Sequence, residues 1–136
     1  MSWPVVNGLR SIEFGNPGES RERLNALVLH GNKRATAGLY EWEYLAANEP
    51  IESVGEQLAM LNSAGEHVGT LQVTRAELLR FGDVPDEFTI AEAEGDRDAA
   101  EFRDGHRRFW TASGYEITDD TMVVTVYFDL LWSNLD

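Results

Sequence analysis

Apolar positions change their spacing several times along the chain, and each change marks an element. From Glu19 onward, Leu24, Leu27 and Val28 recur at helical intervals behind early acidic residues, and Gly31 or Asn32 can end the run in the left-handed conformation. A helix is therefore expected near 19–30. The cluster Gly15-Asn16-Pro17-Gly18 ahead of it reads as a turn, and the opening as far as Glu13 is short and mixed. Beyond the helix, Lys33 to Leu39 carries small and β-tolerant residues and runs into Tyr40-Glu41-Trp42-Glu43-Tyr44-Leu45, a stretch whose type the pattern leaves open.

After Pro50 the period shortens. Gln57 to Leu61 reads as a strand, Asn62-Ser63-Ala64-Gly65-Glu66 as a hairpin loop and His67 to Val73 as its partner. A loop around Gly82-Asp83-Val84-Pro85 leads to a short helix from Asp86 to Glu94, broken by Gly95-Asp96, and a second helix runs from Asp98 to about Trp110 with Phe102, His106 and Phe109 on its inner face. Met122 to Phe128 is dense in β-branched and aromatic residues and reads as a buried strand. Strands interrupted by helices without regular βαβ alternation point to an α+β arrangement, a small, partly closed β-barrel with helices packed outside it.

Composition narrows the function classes. The 136 residues, with no internal repeat, fit one domain that buries roughly two-thirds of its unfolded surface. A hydrophobic content of 43% excludes a disordered or fibrous chain. Eleven basic against 24 acidic residues leave a net charge of −13, a field that repels phosphate backbones and anionic lipid. Double-stranded DNA and membranes are thus not expected partners, and any RNA contact must be local. Cysteine is absent, which removes disulfides, thiolate metal sites and thiol catalysis. The opening MSWPVVNGLRS is unlike a signal peptide and no apolar run approaches a membrane span, so a cytoplasmic location is expected.

Several motifs coincide with a known family. Glu13-Phe14-Gly15, then Leu27-Val28-Leu29-His30-Gly31-Asn32-Lys33-Arg34-Ala35-Thr36-Ala37, Trp42-Glu43-Tyr44, Glu49-Pro50, Gly55, Glu92-Ala93-Glu94-Gly95-Asp96 and Arg103-Asp104-Gly105-His106-Arg107-Arg108-Phe109 resemble, in order and spacing, an ASCH domain. The resemblance runs from about Glu13 to Phe128. It implies a PUA-like β-barrel with two to four helices around it, similar to domains that bind RNA. The chain departs from that pattern at Arg34, where relatives read threonine, at Ala93 in a glycine-rich stretch, and at Val126, where a glutamate is expected.

The resemblance also assigns chemistry. ASCH proteins that deacetylate N(4)-acetylcytidine use a lysine, a threonine and a glutamate, and Lys33, Thr36 and Glu94 stand at the matching positions. In such a trio the Thr36 hydroxyl is the nucleophile, Lys33 takes its proton, and Glu94 positions or protonates the leaving amine. Desolvation of Lys33 favours that role, while an ionised Glu94 beside it opposes it. Glu92 competes with Glu94 for the part of the acid, and Glu92, Glu94, Asp96 and Asp98 also read as a solvated acidic face ahead of the next helix.

Phe14, Gly15, Trp42, Tyr44, Arg103 and Arg107 are the candidate ligand contacts: Trp42 and Tyr44 could stack on a base, and Arg103, Arg107 and Arg108 form a local basic stripe that could meet phosphate or pair with nearby acids. His106 reads as a hydrogen-bonded structural histidine. His30 and His67 lack partners at metal-ligand spacing, so neither metal nor cofactor is expected. Two functions follow as expectations. One is a metal-independent amidohydrolase acting on an N(4)-acylated cytidine or similar nucleoside; the other is a PUA-like RNA-binding module or ribonuclease.

Overall fold

A computed structural model describes residues 2–134. It opens with a hairpin of β1 (Val5–Val6) and β2 (Leu9–Ile12), whose two-residue turn Asn7-Gly8 has positive φ at both positions, 53° and 79°. That conformation twists in the same sense as the flanking strands. Helix α1 (Glu19–Leu29) follows and ends as expected, with Gly31 at φ 83°. Strand β3 (Ala35–Leu39) then passes into a wide π-helical turn over Tyr40–Leu45. These two elements settle the stretch whose type the pattern left open.

The hairpin of β4 (Gln57–Leu61) and β5 (His67–Arg80) forms where expected, but β5 continues well beyond Val73 because it pairs along almost its whole length with the last strand, β6 (Met122–Ser133). Between them lie α2 (Asp86–Glu92) and α3 (Ala99–Ala112). Asp98 caps α3 by accepting the Glu101 N–H. Helix α2 stops two residues before the expected end, with Ala93 in the left-handed conformation at φ 56°.

The strands form one six-stranded mixed sheet in the order β1-β2-β4-β5-β6-β3, in which only the β2–β4 pair is parallel among the described residues. The α+β class is as expected. The barrel is not closed: no ladder joins β2 to β3 among the described residues. A flat sheet would hold those two strands roughly 19 Å apart, four spacings of about 4.8 Å. Yet residues of both line a single cavity, so the sheet curls and leaves an opening where closure would occur.

Alternation along the strands sets two packing layers. Leu58, Met60, Leu71, Val73, Val124, Val126 and Phe128 face one side, where Leu24 and Val28 bring in α1, Phe14 the segment before it, and Tyr44 the π-helical turn. Ala35, Leu39 and Val123 face the other side, against Phe81, Phe88, Phe102 and Trp110 from the α2–α3 region. Strand β6 is thus buried on both faces, as its composition indicated. The inner face expected of α3 holds for Phe102, whereas Phe109 turns outward and is 47% exposed. No helix of the described residues is long and apolar enough to cross a membrane.

Candidate functional site

Lys33 sits in the link between α1 and β3, tied at both ends by backbone bonds. Its own N–H donates to Leu27 O, and the next residue's N–H donates to Ala91 O near the end of α2. The side chain is thereby drawn inward beneath the C-terminal turn of α2. It is 1% exposed, and Nζ donates to Ala35 O at 2.7 Å, Glu92 O at 3.4 Å and Glu94 Oε2 at 2.5 Å. Three acceptors match the three donors of an ammonium. The ammonium also lies 5.5 Å above the Phe14 ring.

Glu94 reaches Lys33 because Ala93 adopts the left-handed conformation, which ends α2 and turns the chain back on itself. Glu92, at the last position of α2, is also buried, at 1% exposure. Its Oε2 stands 3.6 Å from His106 Nε2, and its Oε1 has no hydrogen-bond partner among the described residues. Burial pushes the Glu92 carboxyl up to about 8; Lys33 opposes the rise while Glu94 and Asp96 reinforce it. The Asp96 carboxyl is raised too, chiefly by burial.

His106 stacks between Phe102 and Trp110, with ring centroids at 4.1 and 5.1 Å, and its Nδ1 lies 3.2 Å from Phe102 O. A carbonyl only accepts, so Nδ1 carries the proton and Nε2 offers a lone pair toward Glu92. Burial lowers the His106 pKa and keeps the ring neutral. The structural role expected of His106 is present, and the free Nε2 adds to it.

Two cavities meet at Thr36. The first, of about 340 Å³, lies in the opening between β2 and β3 and is lined by Ser11, Thr36, Trp42, Tyr44 and Glu52 among others. The second, of about 490 Å³, is bounded by Glu92, Glu94, Asp96 and His106. Glu13, Phe14, Thr36, Ala37 and Glu43 line both. On the sheet Thr36 pairs directly with Val126, so the residue standing in place of the expected glutamate lies beside the threonine and is itself buried.

The sequence candidates therefore divide. Thr36 and Glu94 share one cavity wall, and Lys33 is bonded to Glu94 behind it. Phe14, Gly15, Trp42 and Tyr44 line the connected space. Gly15 is there for its backbone: φ is 59°, and a Cβ would fall 2.7 Å from Ser20 Oγ. Arg103 and Arg107 are not brought to either cavity. Arg103 donates to Val84 O at 3.3 Å, and Arg107 pairs with Asp119 at 2.7 Å and covers the Phe81 ring.

The solvated acidic face also needs correction, since Glu92 is enclosed and Glu94 half-buried. Sequence reasoning gave no site role to Arg23, Glu43 or Tyr115, which line the second cavity, or to Glu52, which lines the first. Tyr115 stacks against Trp42 at 4.9 Å, a pairing across 73 positions that no linear motif encodes.

Comparison with known proteins identifies the family and the fold. The family model described as "ASCH domain" matches residues 10–131. An ASCH domain from Lactobacillus crispatus JV V101 superposes with a TM-score of 0.74 at 25% identity, covering 90% of this chain and 80% of that one. Protein EF3133 from Enterococcus faecalis V583 also gives a TM-score of 0.74, at 22% identity, covering 88% and 74% respectively. No curated protein sequence matches this chain.

Proposed function

The chain belongs to the ASCH domain family with its PUA-like fold, and from that premise we propose that it is an amidohydrolase acting on an N(4)-acylated cytidine or a closely related acylated nucleoside. One observation carries the reading: Thr36 and Glu94 border the same cavity while Lys33, enclosed, is bonded to Glu94 at 2.5 Å. The aromatic side chains of Phe14, Trp42 and Tyr44 supply stacking surface for a base in the connected space. The net charge of −13 favours an uncharged nucleoside over a phosphate polymer.

In the proposed reaction one proton moves from Lys33 to Glu94 along their short contact, leaving an amine next to β3. That amine takes the Thr36 hydroxyl proton as Oγ1 attacks the acyl carbon. The C–N bond then breaks as Glu94 protonates the leaving exocyclic nitrogen. Water next attacks the Thr36 ester and gives a proton to the freed Glu94 carboxylate, Lys33 returns a proton to Thr36 Oγ1 as the acid leaves, and transfer of the Glu94 proton back to Lys33 restores the trio.

The test is hydrolysis of N(4)-acetylcytidine by the purified chain, followed by absorbance, with Thr36→Ala and Lys33→Ala alongside. Release of cytidine by the wild type and its loss in folded Thr36→Ala is the expected result. No release by the wild type at any pH tested, or undiminished release by Thr36→Ala, would overturn the reading. The family's link with RNA binding favours a second reading, an RNA-binding module or ribonuclease. RNA affinity that falls steeply with salt would support it, because phosphate contacts release counterions.

A further inference from the structure

We propose that Glu92, Glu94 and His106 form a binding site for a divalent transition-metal ion of the zinc type. Each offers one ligand atom, and these atoms lie within 4.8 Å of one another. The hydrolytic reading above uses neither Glu92 nor His106, and the histidine spacing along the sequence gave no sign of this group: His106 reaches the two glutamates only through the packing of α3 on α2.

Two features point to a ligand here rather than to acids that happen to be neighbours. The first is His106. Its Nδ1–H donates to Phe102 O, which fixes the ring and turns the Nε2 lone pair toward Glu92. Metal-bound histidines are held by the same kind of outer hydrogen bond. The 3.6 Å between Nε2 and Glu92 Oε2 is too long for a good hydrogen bond. It is close to the roughly 3.4 Å that separates two ligands on a tetrahedral ion with bonds of about 2.1 Å.

The second is Glu92 itself. Its side chain is 1% exposed, borders the second cavity, and has an Oε1 atom with no partner among the described residues. A buried carboxylate oxygen without a donor is costly, and a bound cation satisfies it. Charge agrees with geometry. Glu92, Glu94 and Asp96 border the cavity against Lys33 at its wall, an excess of acidic groups over basic ones that suits a cation. Lys33 engages Glu94 Oε2, leaving Oε1 for the ion. One imidazole with two carboxylates suits zinc or manganese and is a poor set for calcium or magnesium.

The experiment is calorimetric titration of the full chain, stripped with chelator and dialysed, with zinc chloride and separately with magnesium chloride, in the absence of substrate. Saturable zinc binding at a single site is expected, with no comparable magnesium response. Glu92→Gln and His106→Gln should each weaken zinc binding by about tenfold or more. Thr36→Ala, which alters the same cavity without removing a ligand, should leave it unchanged.

Thermal melting checks that the variants fold. If neither does, the visible spectrum of cobalt(II) bound to the wild type takes their place: bands of a nitrogen- and oxygen-coordinated site support the proposal, and the spectrum of the aqueous ion overturns it. No saturable zinc binding, or binding unaffected by both ligand substitutions, also overturns it. A chain that hydrolyses N(4)-acetylcytidine yet binds no zinc loses this proposal and keeps the hydrolytic one. Zinc binding without hydrolysis removes the hydrolytic reading and leaves the metal site standing.

Discussion

Lys33 Nζ and Glu94 Oε2, 61 positions apart in the chain, meet at 2.5 Å with the lysine side chain fully enclosed. Such a pair is worth most when one partner is removed, because the remaining group keeps its burial and loses its counter-charge. Glu94→Ala, which strands the enclosed Lys33 ammonium without its counter-charge, is therefore expected to lower stability by about 3 kcal/mol in urea denaturation. Glu94→Gln should cost less, since an amide oxygen still accepts from Nζ. Equal losses in the two variants would mean that the hydrogen bond to Nζ carries none of the stabilisation.

Glu52 gives a pH dependence of definite sign. Burial raises its carboxyl above the ordinary 4.5, with the Tyr44 hydroxyl donating to it at 2.9 Å and partly opposing the rise. As pH rises the unfolded chain gives up this proton first and the folded chain holds it longer. The fold therefore loses stability from about the ordinary carboxylate value up through the raised one. Glu52→Gln removes that loss while keeping an acceptor for Tyr44. Its melting temperature relative to the wild type should climb from acid toward neutral pH, whereas a constant difference would refute the assignment.

Ala93 holds a conformation that glycine adopts without steric cost and alanine does not. Glycine gives back part of the gain through its freer unfolded state. Ala93→Gly should therefore stabilise by a few tenths to about 1 kcal/mol, measured by chemical denaturation. A clear loss would mean that the alanine methyl contributes packing that outweighs its strain.

Arg107 tests the basic stripe. It is engaged with Asp119 and Phe81 and lines neither cavity. Arg107→Ala should leave nucleoside turnover unchanged and shift stability by no more than about 1 kcal/mol. A loss of salt-dependent RNA affinity in this variant would instead give the stripe the role its charge first indicated.

Much of the fold is legible in the sequence wherever one local rule decides it. The turn at Gly31, the β4–β5 hairpin and the start of α3 beside Asp98 all form as read. The β1–β2 hairpin carried an equally local signal, Asn7-Gly8 between apolar residues, in a segment too short to show a period. The second half of β5 carried none: Arg75, Glu77 and Arg80 are strand residues because β6 pairs with them. The site divides the same way. Lys33, Thr36 and Glu94 lie in recognisable strings, whereas the burial of Glu92 follows from how α2 ends and α3 returns over it, which is tertiary information.

Irregular pairing along β5 reaches beyond the strand itself. Its ladder with β6 shifts register at Thr70–Leu71 and again at Val73–Arg75, and its ladder with β4 breaks opposite Met60–Leu61. Each extra residue sharpens the local bend of a sheet, and the bend determines how far β2 stands from β3. The gap between those strands is thus adjustable from positions remote from every lining side chain. One residue added to or deleted from β5 would therefore change the width of the cavity at Thr36 while leaving every side chain that lines it in place.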